Sequence, residues 1–507
     1  MGENHLYDLL RSGAPEPDRP FACMVDGRRL TYRDLTILSG RFANAMRTLG
    51  VSFSDRVAVQ VEKSVEALAL YLACLRCGAI FVPLNTAYTE AEIQYFLSDS
   101  EPALFVCDPA RVALYRGRFA SPSYAITTLG VRDDGALAAL ARDMSPDFDN
   151  APATADVPAA ILYTSGTTGR SKGAVLTHGN LASNALTLAK LWAFTPDDIL
   201  IHALPIYHSH GLFVATNVTL ISGASLLFFP KFDPRAIIPA LPHATAMMGV
   251  PTHYTRLLQE SGLNPDCTRN IRLFISGSAP LLPETHHAWR ARTGHAILER
   301  YGLTETNMNT SNPFHGLRAP GSVGPPLPGV EIRVTDLETG ASVNDGGAGM
   351  IEVRGPNVFA GYWRRPEKTA EDFRADGFFV TGDIGRFDEN HYLHIVGRAK
   401  DMIITGGLNV YPREIEAEID AIPDVVESAV IGLPHEDFGE AVTAIIVARG
   451  GCAMTETNVL QALAGKLAGF KQPKKVIFLD QLPRNAMGKV QKNLLRETFA
   501  SHYARKS

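Results

Sequence analysis

Cysteine is scarce, with six residues in a chain of 507, too few for a disulfide framework. Cys74 and Cys77 form a C-x-x-C, but no second cysteine or histidine pair stands near it. The pair therefore reads as two small apolar residues on a buried helix, not as a zinc or redox motif. A basic excess is also missing. Lys and Arg number 48 against 53 Asp and Glu, a net charge of −5, which argues against a general nucleic-acid binder. No apolar run reaches the ~18–20 residues of a membrane span. The start, MGENHLYDLLRSG, has no basic stretch leading into an apolar one, so no signal peptide is expected. Leu6 stands where myristoylation needs Ser or Thr. Repeats and low-complexity segments are lacking too. These absences lead to the expectation of a cytoplasmic protein with neither nucleic acid nor membrane as partner.

What is present is an ordinary globular composition, 46% hydrophobic and 20% charged. The length suggests about three domain-sized units. RVAVQVEK (56–63) reads as a strand, residues 64–78 as a helix ending at Gly78, and AIFVPLN (79–85) as a strand again. This βαβ rhythm resumes at AAILYTSG, SLLFFP, AMMGVPTHYTRLLQESG and RLFISGSA. The expected class is α/β, with two βαβ-type parallel-sheet subdomains. From about residue 318 short strands alternate with Gly, Pro, Asp and Asn turns, which suggests a small antiparallel sheet or, as the expected form, a small antiparallel β-barrel running to 400. GRAKDMIITGGLNVYPREIEAEI then opens a smaller α+β domain. The expected division is 1–400 and 401–507.

The densest signal is YTSGTTGRSKG, at 163–173. Glycines let backbone N–H groups close on oxygens, and Thr164, Ser165, Thr167 and Thr168 add hydroxyls to the Lys172 charge. That is phosphate chemistry. The segment is not a Walker loop, since Gly166 and Gly169 stand too close, and it is not a Rossmann fingerprint. The following AVLTHGNLASNALTLAKLW reads as a helix, which would place the loop between a strand and a helix.

YTSGTTGRSKG resembles the signature loop of the adenylate-forming superfamily of acyl-CoA synthetases, peptide-synthetase adenylation domains and beetle luciferases. ISGSAP, ERYGLTET, FVTGDIGRFDENHYLHIVGRAKD, GGLNVYPREIE and LPRNAMGKVQK follow in the family's order and span nearly the whole chain. The resemblance implies ATP, Mg²⁺ and coenzyme A as reactants or cofactors, and an acyl-adenylate that a thiol then breaks. It implies that Thr164, Ser165, Gly166, Thr167, Thr168, Gly169 and Lys172 hold the β- and γ-phosphates. Ser278, Ala279, Glu299, Arg300, Tyr301, Gly302 and Thr304 would line the adenine and substrate pocket. Glu305 and Thr168 would bind Mg²⁺. Asp383 would accept both ribose hydroxyls, a task suited to a carboxylate, with Arg398 beside it. Lys489 would bridge the substrate carboxylate and the α-phosphate, and its acetylation would remove that charge. Asp401 would be the hinge about which the small domain turns to bring Gly406, Gly407 and Leu408 to the site for thioester formation. Residues 466–492 carry seven basic groups against Asp480, read either as attraction of nucleotide phosphates or as a solvated face.

The acid is addressed by other residues. Arg256 ends VPTHYTR, Arg300 precedes Tyr301, and Ser278 adds a hydroxyl. A buried arginine pair is costly beside a methyl-ended chain. A second carboxylate would instead give each arginine charge-assisted hydrogen bonds worth about 1.5–3 kcal/mol apiece. That points to a short dicarboxylic acid. HALPIYHSHGLF, VPTHYTR and ERYGLTETNMNTSNP together resemble the malonyl-CoA synthetases. By that resemblance Ser209 and Met308 would border C2 of malonate, and His210 would contact the carboxylate or adenylate as a catalytic group. The expected function is an ATP-dependent malonate–CoA ligase. Alternatives are a ligase of the same family for methylmalonate, another short dicarboxylate or a medium-chain acid. Arg256 and Arg300 also read as a helix-face arginine and a structurally paired one. His202, His208 and His210 invite a zinc reading, but H-x-H lacks a third ligand.

Overall fold

The computed structural model describes residues 4–13, 16–119, 121–164, 171–343, 346–406, 408–452, 454–485 and 488–503. Helix Val65–Cys77 begins where the Ser64 hydroxyl caps the Ala67 N–H and ends at Gly78, which takes the left-handed conformation (φ 66°). All its residues are buried, the mark of a core helix with no face for water. Cys74 and Cys77 lie within it, against Met46 and the Ala43 carbonyl, as small apolar side chains.

Two large sheets share one hydrophobic core with this helix. The first has eight strands, ordered Asn307–Ser311, Leu298–Leu303, Leu273–Ser276, Ala246–Gly249, Ile199–His202, Ser225–Phe228, Pro20–Met24, Arg29–Thr31. The second has seven, ordered Gly361–Tyr362, Lys172–Thr177, Pro158–Thr164, Ile80–Pro83, Arg56–Gln60, Leu104–Cys107, Ala125–Thr128. Their centres are parallel, as the βαβ rhythm implies. Their margins are not: Asn307–Ser311, Arg29–Thr31, Lys172–Thr177 and Gly361–Tyr362 each pair antiparallel with a neighbour. The sheets are therefore mixed.

Two expectations need correction. Lys172–Thr177 is a strand that pairs antiparallel with Pro158–Thr164, and the helix starts only at His178, capped by Thr177. The phosphate segment thus joins two strands, not a strand and a helix. Strands Glu331–Thr335, Gly349–Arg354, Phe379–Phe387 and Leu393–Arg398 form an antiparallel sheet in that order. Its first and last strands are not paired to each other among the described residues, so this unit is an open sheet and not a closed barrel.

Past Ala399–Asp401 the chain enters a five-stranded sheet carrying helices Pro412–Asp420, Glu456–Leu463 and Lys492–Phe499. Its buried residues form two clusters of their own, one around Val430 and Val442, the other around Ile431 and Leu495.

Candidate active site

Three parallel strands of the first sheet end at one edge, at His202, Gly249 and Ser276, and Leu298–Leu303 runs past it from Glu299, the register partner of Ser276. The crevice beyond strand carboxyl ends is where α/β sheets bind ligands. The antiparallel sheet supplies the facing wall. Asp383 and Arg398 are register partners there, with Arg398 Nε 3.0 Å from Asp383 Oδ1. The Tyr301 hydroxyl donates to Asp383 Oδ2 at 2.7 Å. Asp383 is 4% exposed, and its charge raises the Arg398 pKa. Burial, with Asp383 beside it, keeps the Tyr301 hydroxyl protonated.

The small domain brings Lys489 to this wall. Asn485 donates its N–H to the Lys489 carbonyl at 2.9 Å, and its side-chain oxygen accepts the Lys489 N–H at 3.0 Å. Gly488 takes φ +73°, and a Cβ there would lie 3.5 Å from Thr252 Oγ1 of the large domain. Burial pushes the Lys489 ammonium down to about 8, with Arg398 and Arg300 adding to the effect and Asp383 and Glu305 opposing it. Lys489 therefore sits among two guanidinium groups and two carboxylates.

Glu305 faces the second sheet. Its Oε1 accepts from Thr164 Oγ1 and from the Tyr362 hydroxyl, each at 3.3 Å. Lys172 stands 4.4 Å from the centroid of the Tyr362 ring, so strand pairing delivers both ends of the signature segment, Thr164 and Lys172, to Glu305. Burial raises the Glu305 carboxyl above its usual range. A single carboxylate with a hydroxyl beside it suits a hard cation that also takes oxygens from substrate phosphates. No group of three or more metal-binding side chains occurs among the described residues. Ser165, Gly166, Thr167, Thr168, Gly169 and Gly407 lie outside the described residues. Glu299 is buried, accepts the Gly321 N–H at 3.2 Å and has its carboxyl pushed up to about 8 by burial.

On the acid side, Arg300 is 3% exposed. Its Nε and Nη2 are buried and have no hydrogen-bond partner among the described residues. Burial lowers its pKa to about 9. The guanidinium lies directly over Gly277, where a Cβ would come within 2.5 Å of Arg300 Cζ. Ser278, next in the chain, holds φ +70°, a strain of the kind found at functional sites, and its Oγ lies 3.2 Å from His210 Nδ1. His210 opens a π-helical turn, His210–Thr216, and its Nε2 is buried without a partner among the described residues. Ser209 and Met308 are buried, with Met308 opposite Gly302 across two strands. Ala279 and Thr304 are half-buried at the same edge.

Arg256 behaves differently. It is exposed, near the end of helix Pro251–Leu258, so the cost of burying a lone charge applies to Arg300 and not to an arginine pair. Its charge is felt by His253 and by Arg484 of the small domain. His208, which the sequence offers only as part of H-x-H, is driven down to about 3 by burial, Lys489 and Arg300, so its imidazole is neutral. Gly277 escaped the sequence reading. Its only sequence signal was membership of ISGSAP.

Asp401 ends a 3₁₀ turn and accepts from Arg496 Nη2 at 2.5 Å. Burial raises its pKa, but Arg496 and Lys492 pull it below the usual value. Gly406 takes φ +58° and Leu408 is exposed. Most of the basic run is neutralised within the small domain, where Lys466, Lys471, Lys475, Arg484 and Lys492 pair with Glu418, Glu414, Glu456, Glu427 and Glu416. No helix of the described residues is long and apolar enough to cross a membrane.

Comparison with known proteins matches these two units separately. The family described as AMP-binding enzyme covers residues 9–363, and the AMP-binding enzyme C-terminal domain covers 414–489. The crystal structure of ATP-bound MatB from Rhodopseudomonas palustris is 57% identical, with TM-score 0.97 over 99% of this chain and 100% of that one. The apo structure of the same protein superposes at TM-score 0.86, with 57% identity and the same coverage of 99% and 100%. A malonate–CoA ligase of Arabidopsis thaliana is 35% identical over 98% of this chain and 85% of its own length.

Proposed function

The chain belongs to the AMP-binding enzyme family, and from that premise we propose that it is an ATP-dependent malonate–CoA ligase releasing AMP and pyrophosphate. One observation carries the choice of acid. Arg300 holds a buried guanidinium with two nitrogens unpartnered, and a lone buried charge costs several kcal/mol, by the ~3–5 kcal/mol scale of broken buried pairs. The distal carboxylate of a short diacid completes it. His210 Nε2 and Ser278 Oγ stand ready for the rest of the acid, Met308 and Ser209 bound its C2 position, and Arg256 reaches it from the mouth of the site.

In the first half-reaction the other carboxylate attacks the α-phosphorus of ATP and pyrophosphate leaves. The Lys489 ammonium neutralises the two approaching anions, a role for a compact charge on a long stem. Asp383 and Arg398 hold the ribose, Glu299, Ala279, Tyr301 and Gly302 shape the adenine side, Thr304 meets the α-phosphate, and Lys172 and Thr164 grip the departing pyrophosphate. Mg²⁺, held by Glu305, would screen the phosphate charge. In the second half-reaction the thiol of coenzyme A attacks the acyl carbon and AMP leaves. The small domain turns at Asp401 for this step and presents Gly406 and Leu408. Acetylation of Lys489 would remove the charge that the first half-reaction uses. The greater likeness to ATP-bound than to apo MatB (TM-score 0.97 against 0.86) supports an arrangement set for the first step.

Pyrophosphate release over a panel of C2–C8 mono- and dicarboxylic acids tests the reading. Malonate should lead, well ahead of butyrate. Formation of ADP would overturn the mechanism, and a lead for a monocarboxylic acid would overturn the substrate.

A further inference from the structure

A lysine turned inward links the two large sheets. Lys63 follows strand Arg56–Gln60 of the second sheet, and its Nζ reaches the strand ends of the first. It lies 2.9 Å from His202 Nδ1, 2.8 Å from the His202 carbonyl oxygen and 2.7 Å from the Phe229 carbonyl oxygen. It also stands 4.4 Å from the centroid of the Phe228 ring. His202 is fully buried, and its Nε2 lies 2.9 Å from the Gly211 carbonyl oxygen. Thr216 Oγ1 donates to that same oxygen at 3.0 Å.

Proton accounting leaves little freedom. The Gly211 oxygen can only accept, so His202 Nε2 carries the hydrogen. Burial and the Lys63 charge disfavour an imidazolium, so Nδ1 is an acceptor. Nζ then faces three acceptors, and only an ammonium has three N–H donors. Burial alone drives Lys63 toward the neutral amine, but that form would set its lone pair against an oxygen or nitrogen lone pair. Three acceptors around Nζ, with the Phe228 ring beside it, favour the ammonium and with it the Nε2–H tautomer of His202.

Gly211 is the second residue of the π-turn, and a Cβ there would meet the Pro205 carbonyl oxygen at 2.1 Å, so only glycine lets the turn pack this closely on the preceding segment. One residue earlier stands His210, with Nδ1 on Ser278 and Nε2 unpartnered. We propose that Lys63 is a positioning residue for the acid-binding half of the site: through His202 and the Gly211 carbonyl its ammonium anchors the first turn of the π-helix and so sets where the His210 imidazole stands beside Ser278. This rests on the ligase reading above. Displacements of about 1 Å at such a site cost ~10²-fold in rate, and π-turns recur at functional sites.

The test compares full-length wild type, Lys63→Met and Lys63→Arg in pyrophosphate release without coenzyme A, with thermal unfolding as a check on folding. Lys63→Met should raise KM for the acid by about 10- to 100-fold and leave KM for ATP unchanged. Lys63→Arg should fall between it and wild type. If Lys63→Met does not fold, Lys63→Arg decides alone: a raised acid KM with unchanged ATP KM supports the proposal. Acid and ATP KM rising together, or neither moving, overturns it. Wild type that uses another acid but not malonate would remove the malonate reading, and the same KM comparison on that acid would then decide the role of Lys63.

Discussion

Arg300 and Arg256 show how far a residue's type can be read without its surroundings. Both stood out in sequence as polar intrusions near an acyl pocket. Only Arg300 is enclosed, over a glycine whose missing Cβ gives the guanidinium its place; Arg256 is exposed. Arg300→Ala should cut kcat/KM for malonate by about 10- to 100-fold, from the ~1.5–3 kcal/mol of a charge-assisted hydrogen bond, while butyrate loses little. A ratio of butyrate to malonate use that does not rise would take Arg300 out of substrate selection. Lys489 makes a second residue-scale prediction. Burial pushes its pKa down to about 8, and in the proposed mechanism the protonated form neutralises the reacting anions. The kcat/KM of adenylation should therefore fall as pH rises through about 8, and Lys489→Arg should remove that alkaline limb, because a guanidinium stays charged. Gly277 was not legible, and His208 was legible only as a weak metal motif, since their importance lies in what packs against them and not in their type.

At the scale of elements, helix Val65–Cys77 could be placed from its sequence because its signals are local: a serine cap, an apolar run and a terminal glycine. Its burial on every side follows from the lack of any polar stripe. Leu70 is fully buried at its centre. Leu70→Ala should cost about 2–5 kcal/mol in chemical denaturation, while KM for ATP and for the acid stays near wild type. The strand Lys172–Thr177 was misread as the start of a helix. AVLT has no periodicity of its own, and pairing with Pro158–Thr164 decided it. The π-turn at His210 has no sequence signal either, because its i→i+5 bonds depend on what holds Gly211.

For the whole molecule, the proposed active site lies where two folding units meet. Lys489 belongs to the small domain and Asp383, Glu305 and Arg300 to the large one. Lys489→Ala should abolish pyrophosphate release yet leave thioester formation from supplied malonyl-adenylate largely intact. Equal loss in both assays would refute a lysine confined to one half-reaction and the domain turn with it. The sequence by itself determined the α/β class and the order of the motifs, and it pointed to the residues proposed to handle ATP, because these depend on local composition, spacing and chemical type. The tertiary structure decided which strands run antiparallel, which of the two arginines is buried, and that Lys63, His202 and Gly211 form one chain of contacts. Those outcomes depend on which distant segments approach within hydrogen-bonding distance, and sequence spacing carries no record of that.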